Sequence, residues 1–361
     1  MKDWPLSYDE LAPFYAEVER FIGVTGTADG LPQLPDGELL PPLPLNPFAQ
    51  HFKSAVEARW HDRHVVALRR AVHGHDRVLA AALATGRVTL RPNAVVRRVL
   101  VDPGGKATGV AFVDRLSKND EELRGRIVVL CASTIESTRI LLNSGLASSS
   151  GVLGHYLMDH SFLSGVLRCK PPQVTPSDPT SASASRCYIP RFRAPRGYGI
   201  ELAISTPNAE GTCDVEYGAI GEVVGAFENS VSVNEGQRDA WGIPTAHISY
   251  AYSGEDDAMV HDAAEAMRAM LEAAGFETLG GSTSRFAAGL SAHEMGTARM
   301  GSDPTTSVLD PWNRTWDCGN LFVTDAASFA SGGCQNPTLT IMAMTVRACR
   351  YIVEQTKSGQ L

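Results

Sequence analysis

The sequence predicts an α/β chain, α+β overall: an incomplete Rossmann-like, dinucleotide-binding type of domain plus an antiparallel-sheet substrate domain. Three observations predict it. A continuous apolar run at 127–131 (Ile-Val-Val-Leu-Cys) turns at once into a helix-start signal, half of a doubly wound unit. Residues 161–250 change to short alternating segments of the antiparallel kind. Near the carboxyl end a strand, Asn320-Leu321-Phe322-Val323-Thr324, leads to Asp325 and then to a helix opening at Asn336-Pro337-Thr338, yet no Gly-x-Gly-x-x-Gly occurs anywhere.

The elements follow in order. Ser7-Tyr8-Asp9-Glu10 is a capping box that starts a helix running to about Ile22. The opening Met1-Lys2-Asp3-Trp4-Pro5 has no charged-then-apolar signal layout and leads straight into that helix, so the chain reads as cut into. A Pro- and Gly-rich connector spans 23–48, and 49–74 gives a weak signal. Asp76 is placed to cap a helix over 77–85, closed by Gly86. The runs 88–101 and 107–114, joined by Pro103-Gly104-Gly105-Lys106, predict a hairpin. After the 127–131 strand, Ser133-Thr134-Ile135-Glu136 is a second capping box, its helix ending near Asn143 with Gly145 beyond. A helix start at the carboxyl end of a strand suits an anion or a nucleotide, although a structural βα unit explains the pattern equally well.

Strands are expected at 198–205, 215–218, 229–233 and 246–252, with a Ser/Thr/Pro/Ala-rich loop at 175–185. An amphipathic helix at 256–275 carries Met259, Ala263, Met267 and Met270 on one face, a stripe that reads as core. The last helix is expected to bury Leu339, Met342, Ala343, Val346, Cys349 and Val353.

Composition excludes some functions. With 361 residues, 43% hydrophobic and 20% charged, the chain has ample core for one large domain or two ordinary ones. A net charge of −8 without a Lys/Arg cluster argues against a nucleic-acid partner, and no apolar run approaches a membrane span. The seven cysteines are scattered and none sit at metal-ligand spacing, so no metal is expected and most should be small buried residues.

The chemistry concentrates between His293 and Thr340. In open α/β sheets ligands lie outside the carboxyl ends of strands, which suits Asp325 to ligand hydroxyls; a turn-forming Asp explains it as well. Asn336 reads as an N-cap with proline following, and that helix end is partly positive, suited to the anionic edge of a reduced flavin; an ordinary capped helix fits the same spacing. His293 is one of ten histidines. Its neutral imidazole suits removal of a hydroxyl proton while the carbon loses hydride, and the Asn336 amide could hold the same oxygen.

The segments His-x-x-Gly-Thr-x-Arg-Met-Gly from His293, Ser307-Val308-Leu309-Asp310, Asn320-Leu321-Phe322-Val323-x-Asp325 and Asn336-Pro337-Thr338-Leu339-Thr340 resemble the carboxyl-terminal signature of the glucose–methanol–choline (GMC) flavin oxidoreductases. Asp3-Trp4-Pro5-Leu6-Ser7-Tyr8 and Gly151-Val152-Leu153-Gly154-His155-Tyr156-Leu157-Met158-Asp159-His160 are similar to the bacterial sugar-oxidising branch, near glucoside 3-dehydrogenases and pyranose or C-glycoside oxidases. The resemblance implies FAD as cofactor, His293 as catalytic base and Asn336 as its partner. It implies flavin contacts at Asp325, Ala326, Pro337 and Thr338, and adenosine-side contacts at Val95, Val96 and Ala132. It also implies an opening strand with a Gly-rich phosphate loop, which this sequence does not contain.

The expected organisation is an FAD-binding domain at 75–160 and 293–361, lacking that loop, with a substrate or cap domain at 1–74 and 161–292. The expected function is FAD-dependent oxidation of CH–OH groups of sugars or glycosides, with electrons passing to a quinone, a cytochrome or oxygen. The alternative is a truncated remnant that binds no flavin, inactive alone or completed by a second chain. The resemblance also implies a small partner subunit as an option, since related enzymes can be exported with a partner, so cytoplasm and periplasm both stay open.

Overall fold

The computed structural model describes residues 3–174, 184–193 and 196–361. Helix α1 (Tyr8–Ile22) begins where the sequence places it: Ser7 and Glu10 close a capping box, and Gly23 ends the helix at φ 67°. Ser7→Ala should therefore lower stability by about 1 kcal/mol, seen as a lower urea midpoint at unchanged slope. Strand β1 (Val24–Thr25) follows. Helix α2 (Pro47–Arg59), capped by Asn46, lies where the sequence signal is weak and buries Phe48, Ala49, Phe52 and Val56. Two short strands come next, β2 (Val66–Ala67) and β3 (Arg70–Ala71), the latter pairing with β1. Helix α3 (His75–Ala84) has Gly74 at its N-cap, so Asp76 sits in the first turn and not at the cap.

The expected hairpin forms from β4 (Ala94–Val101) and β5 (Ala107–Asp114), with β6 (Asp120–Arg124) added beside β5. Strand β7 (Val128–Leu130) runs into α4 (Thr134–Ser144), which Gly145 ends in the left-handed conformation. Two details of this unit differ from expectation. Val129 is 38% exposed, because among the described residues β7 pairs only with β15 (Leu321–Val323), in parallel. Ser133 is held at φ 80° and makes no side-chain cap, so the second capping box does not close.

The largest sheet has six antiparallel strands in the order β14–β8–β11–β10–β9–β2. They are β8 (Ser161–Lys170), β9 (Ala184–Ile189), β10 (Tyr198–Ser205), β11 (Cys213–Gly221) and β14 (Glu277–Arg285), besides β2. Of the expected 175–185 loop, residues 175–183 lie outside the described residues, and Ala184 and Ser185 already belong to β9. Strands β12 (Ser230–Arg238) and β13 (Pro244–Ser249) form a separate hairpin. Helix α5 (Gly254–Ala273) starts on a Ser253–Asp256 capping box. It lays Ala263, Met267 and Met270 with α2 on one face of the six-stranded sheet, where Ile200, Leu202, Ile204 and Val215 complete an apolar core.

The second core joins β7, β15, α4 and helix α6 (Thr338–Lys357), with Leu11 of α1 packed into it. The buried positions of α6 are Ala343, Met344, Arg347 and Ala348; Cys349 and Val353 are exposed, against expectation. Arg347 takes the inner position because its guanidinium stacks 3.9 Å from the Trp312 ring and donates to the Pro311 carbonyl at 2.5 Å. Five of the seven cysteines are buried, Cys131 and Cys349 being exposed. No helix among the described residues is long and apolar enough to cross a membrane.

Candidate active site

An antiparallel bridge between Met158 and Met295 builds the site: each N–H donates to the other carbonyl at 2.8 Å. In that register His160 stands opposite His293, on the same face as the bridge residues. Gly296 is required just beyond, since it sits at φ 84° and a Cβ there would lie 2.3 Å from the Tyr156 carbonyl oxygen. The Gly296, Ala298 and Met300 N–H groups donate to the carbonyls of Ala326, Ala327 and Ser328, which fastens the signature segment to the turn after β15.

Asp159 organises the two histidines from the backbone side. Its carboxylate accepts from the N–H groups of His160 (2.9 Å), Ser291 (3.0 Å) and His293 (3.1 Å), and from the Ser291 hydroxyl. Tyr250 donates to the Asp159 carbonyl and Tyr252 to the His160 carbonyl, both at 2.8 Å. The rings then meet. His160 Nδ1 lies 2.9 Å from His293 Nδ1, and His160 Nε2 lies 2.9 Å from the Gly333 carbonyl oxygen. Asn336 Nδ2 lies 3.3 Å from His293 Nε2.

Burial lowers the His293 pKa below its ordinary 6.5, with the Asp159 and Glu294 carboxylates pulling the other way. His160 is wholly buried; burial first, and the neighbouring His293 second, bring it down to about 4.

Seven of the nine sequence-predicted residues fall into two groups. His293, Asn336, Pro337 and Thr338 converge at the start of α6. Pro337, not Asn336, occupies its N-cap position and no side chain caps the helix, because the Asn336 amide is turned to the imidazole. Asp325, Ala326 and Ala132 converge at the ends of β15 and β7. There Asp325 caps the turn through Ala327 N–H at 3.0 Å and accepts from the Ser137 hydroxyl, whose oxygen in turn accepts from Ala132 N–H at 3.0 Å. Burial raises the Asp325 pKa, against the Ser137 and backbone hydrogen bonds that lower it. Val95 and Val96 are half-buried in β4, beneath α4, and Thr134 of α4 donates to the Glu294 carbonyl at 2.6 Å.

Asn336 lines two cavities, one of about 610 Å³ and one of about 310 Å³. The smaller brings Arg69, Tyr188, Glu201 and Gln335 around Asn336, and Arg69 and Gln335 line the larger as well. A third, of about 320 Å³, lies between Trp4, Met295, Gly332 and Pro337. The sequence places Asp159 and His160 in the 151–160 segment of resemblance without giving either a role, and it gives none to Tyr188, Tyr250 or Tyr252. That segment is the signal that points to the first two.

Comparison with known proteins identifies the family. Residues 69–162 match the amino-terminal and residues 227–345 the carboxyl-terminal family model of the GMC oxidoreductases. The chain is 29% identical to the 2-methyl-1,2-propanediol dehydrogenase of Mycolicibacterium austroafricanum, over 97% of this chain and 74% of that protein. It is 26% identical to the C-glycoside 3-oxidase of Microbacterium trichothecenolyticum, over 96% of this chain and 70% of that one. The formate oxidase of Aspergillus oryzae RIB40 shares the fold, with a TM-score of 0.69 at 14% identity over 98% of this chain and 79% of that one. From its signature segments to its fold, the chain belongs to the GMC oxidoreductases, FAD-dependent enzymes that oxidise CH–OH groups.

Proposed function

We propose that this chain oxidises a secondary alcohol of a sugar or glycoside, with His293 as the base and Asn336 holding the alcohol oxygen. The observation that carries the reading is the pairing of His293 Nε2 with the Asn336 amide at 3.3 Å, on a residue that also lines two cavities. The start of α6 fits a flavin: it has no side-chain cap, and its positive end suits the electron-rich edge of the ring. Pro337 and Thr338 would meet the ring, and Asp325, Ala326, Ala132, Val95 and Val96 the rest of the cofactor. Bound FAD would supply the hydride acceptor.

The protein's own part is proton handling. His293 Nε2 takes the hydroxyl proton as the carbon gives up hydride, and Asn336 Nδ2 donates to the oxygen while negative charge builds on it. The Arg69, Tyr188, Glu201 and Gln335 side chains offer the donors and acceptors a polyol needs. We place the cofactor side at 75–160 and 293–361 and the substrate side at 1–74 and 161–292, with α1 crossing over to pack on α6.

The test is to load the chain with FAD and mix it without oxygen with sugars, glycosides and a simple 1,2-diol. Bleaching of the flavin band by a sugar or glycoside supports the reading, whereas bleaching by the diol alone overturns the substrate class. Failure to take up FAD would favour a protein completed by a second chain. Asn336→Ala should slow bleaching about 10²-fold; an unchanged rate removes Asn336 from the reaction.

A further inference from the structure

The geometry points to His160 as a positioning residue that fixes His293 in the tautomer with Nδ1 protonated and Nε2 bare, a role that rests on His293 being the base. The argument is a count of protons. A carbonyl oxygen only accepts, so the 2.9 Å contact between His160 Nε2 and Gly333 O requires the His160 proton on Nε2. A wholly buried imidazole with a pKa brought down to about 4 is neutral at neutral pH, so its Nδ1 carries a lone pair. That lone pair faces His293 Nδ1 at 2.9 Å, and the hydrogen bond needs a proton that only His293 can supply. Neutral His293 then keeps Nε2 free. The Asn336 amide, whose N–H approaches Nε2 at 3.3 Å, fits the same assignment from the other side.

The surrounding groups leave this work to His160. The Asp159 carboxylate is taken up by the His160, Ser291 and His293 N–H groups and the Ser291 hydroxyl. Glu294 affects the His293 ring through charge alone, and Tyr252 bonds the His160 carbonyl. A base oriented by a carboxylate gains an anion beside its imidazolium. Here the orienting group is neutral, so it sets direction and tautomer without stabilising the protonated ring. His293 is thus held ready to accept a proton and also to release it.

The experiment needs no flavin. Long-range ¹H–¹⁵N NMR of the ¹⁵N-histidine-labelled chain at neutral pH, with His293 assigned by its loss in His293→Ala, reads the tautomer directly. The wild type should show His293 protonated on Nδ1. His160→Leu should lose that preference, and His160→Asn, which places an amide oxygen near the Nδ1 position, should restore it. In the FAD-loaded chain His160→Leu should lower kcat about 10–100-fold at unchanged KM, with recovery in His160→Asn. A wild-type His293 protonated on Nε2 overturns the inference, as does an unchanged tautomer in a folded His160→Leu. If His160→Leu does not fold, the wild-type and His160→Asn spectra decide alone. The expected tautomer together with full turnover in His293→Ala would sink the base assignment and leave the tautomer assignment standing.

Discussion

Replacing His293 by alanine is expected to cut the rate of substrate-driven flavin reduction by about 10²–10⁴-fold while leaving flavin uptake unchanged. The size follows from what the side chain contributes. A positioned base removes the hydroxyl proton as the hydride leaves; without it, water or the solvent-exposed surface must do so from a poorer geometry. The pH dependence carries the sign. Only neutral His293 accepts a proton, and burial places its pKa below 6.5 despite the Asp159 and Glu294 carboxylates. The rate should therefore climb on the acid side, with a midpoint below 6.5, and be flat through neutral pH. Burial and the neighbouring His293 bring the His160 pKa down to about 4, so it is neutral at neutral pH. In His293→Ala the acid limb should vanish along with most of the rate. Stopped-flow reduction across pH reads both; an intact acid limb in the alanine variant would assign it to another group.

Much of this was legible because local signals and tertiary needs agreed. The Ser7–Glu10 box and the Met stripe of α5 appear where their patterns place them. Strand β10 has the expected bounds, 198–205, though it is buried on both faces and not alternately. Where the signals failed, the fold had set a local rule aside. Asn336 looks like a cap, but its amide serves His293, 43 residues away. Ser133 looks like a cap, but its positive φ turns it out of reach. Strand β6, Asp-Glu-Glu-Leu-Arg, has no apolar alternation because it is an almost wholly exposed edge held by ladder hydrogen bonds to β5. The site divides the same way. His293 stands out by its Gly-rich neighbourhood, whereas His160 matters only through a register, Met158 opposite Met295, that no single segment encodes.

Asp325→Ala should destabilise the chain by about 2–4 kcal/mol. The carboxylate ties the end of β15 to the start of α4, and its loss strips the Ala327 N–H and the Ser137 hydroxyl of their acceptor in a buried place. Each orphaned donor costs about 1–3 kcal/mol, and relief from burying a charge offsets part of the sum. That relief is visible in the titration. The folded pKa lies above the ordinary 3.8, so protonation favours the fold: the contribution is complete below 3.8 and is lost as pH rises through the folded value. Asp325→Asn separates the two effects. It removes the charge but turns only one oxygen to the site, so it keeps an acceptor for Ala327 and loses the one for Ser137, costing less than alanine at neutral pH. Wild type should then gain on the asparagine variant as pH falls through the folded pKa. Urea unfolding of the three proteins at a series of pH values measures this, and a gap between wild type and asparagine that does not change with pH would mean Asp325 is not the titrating group.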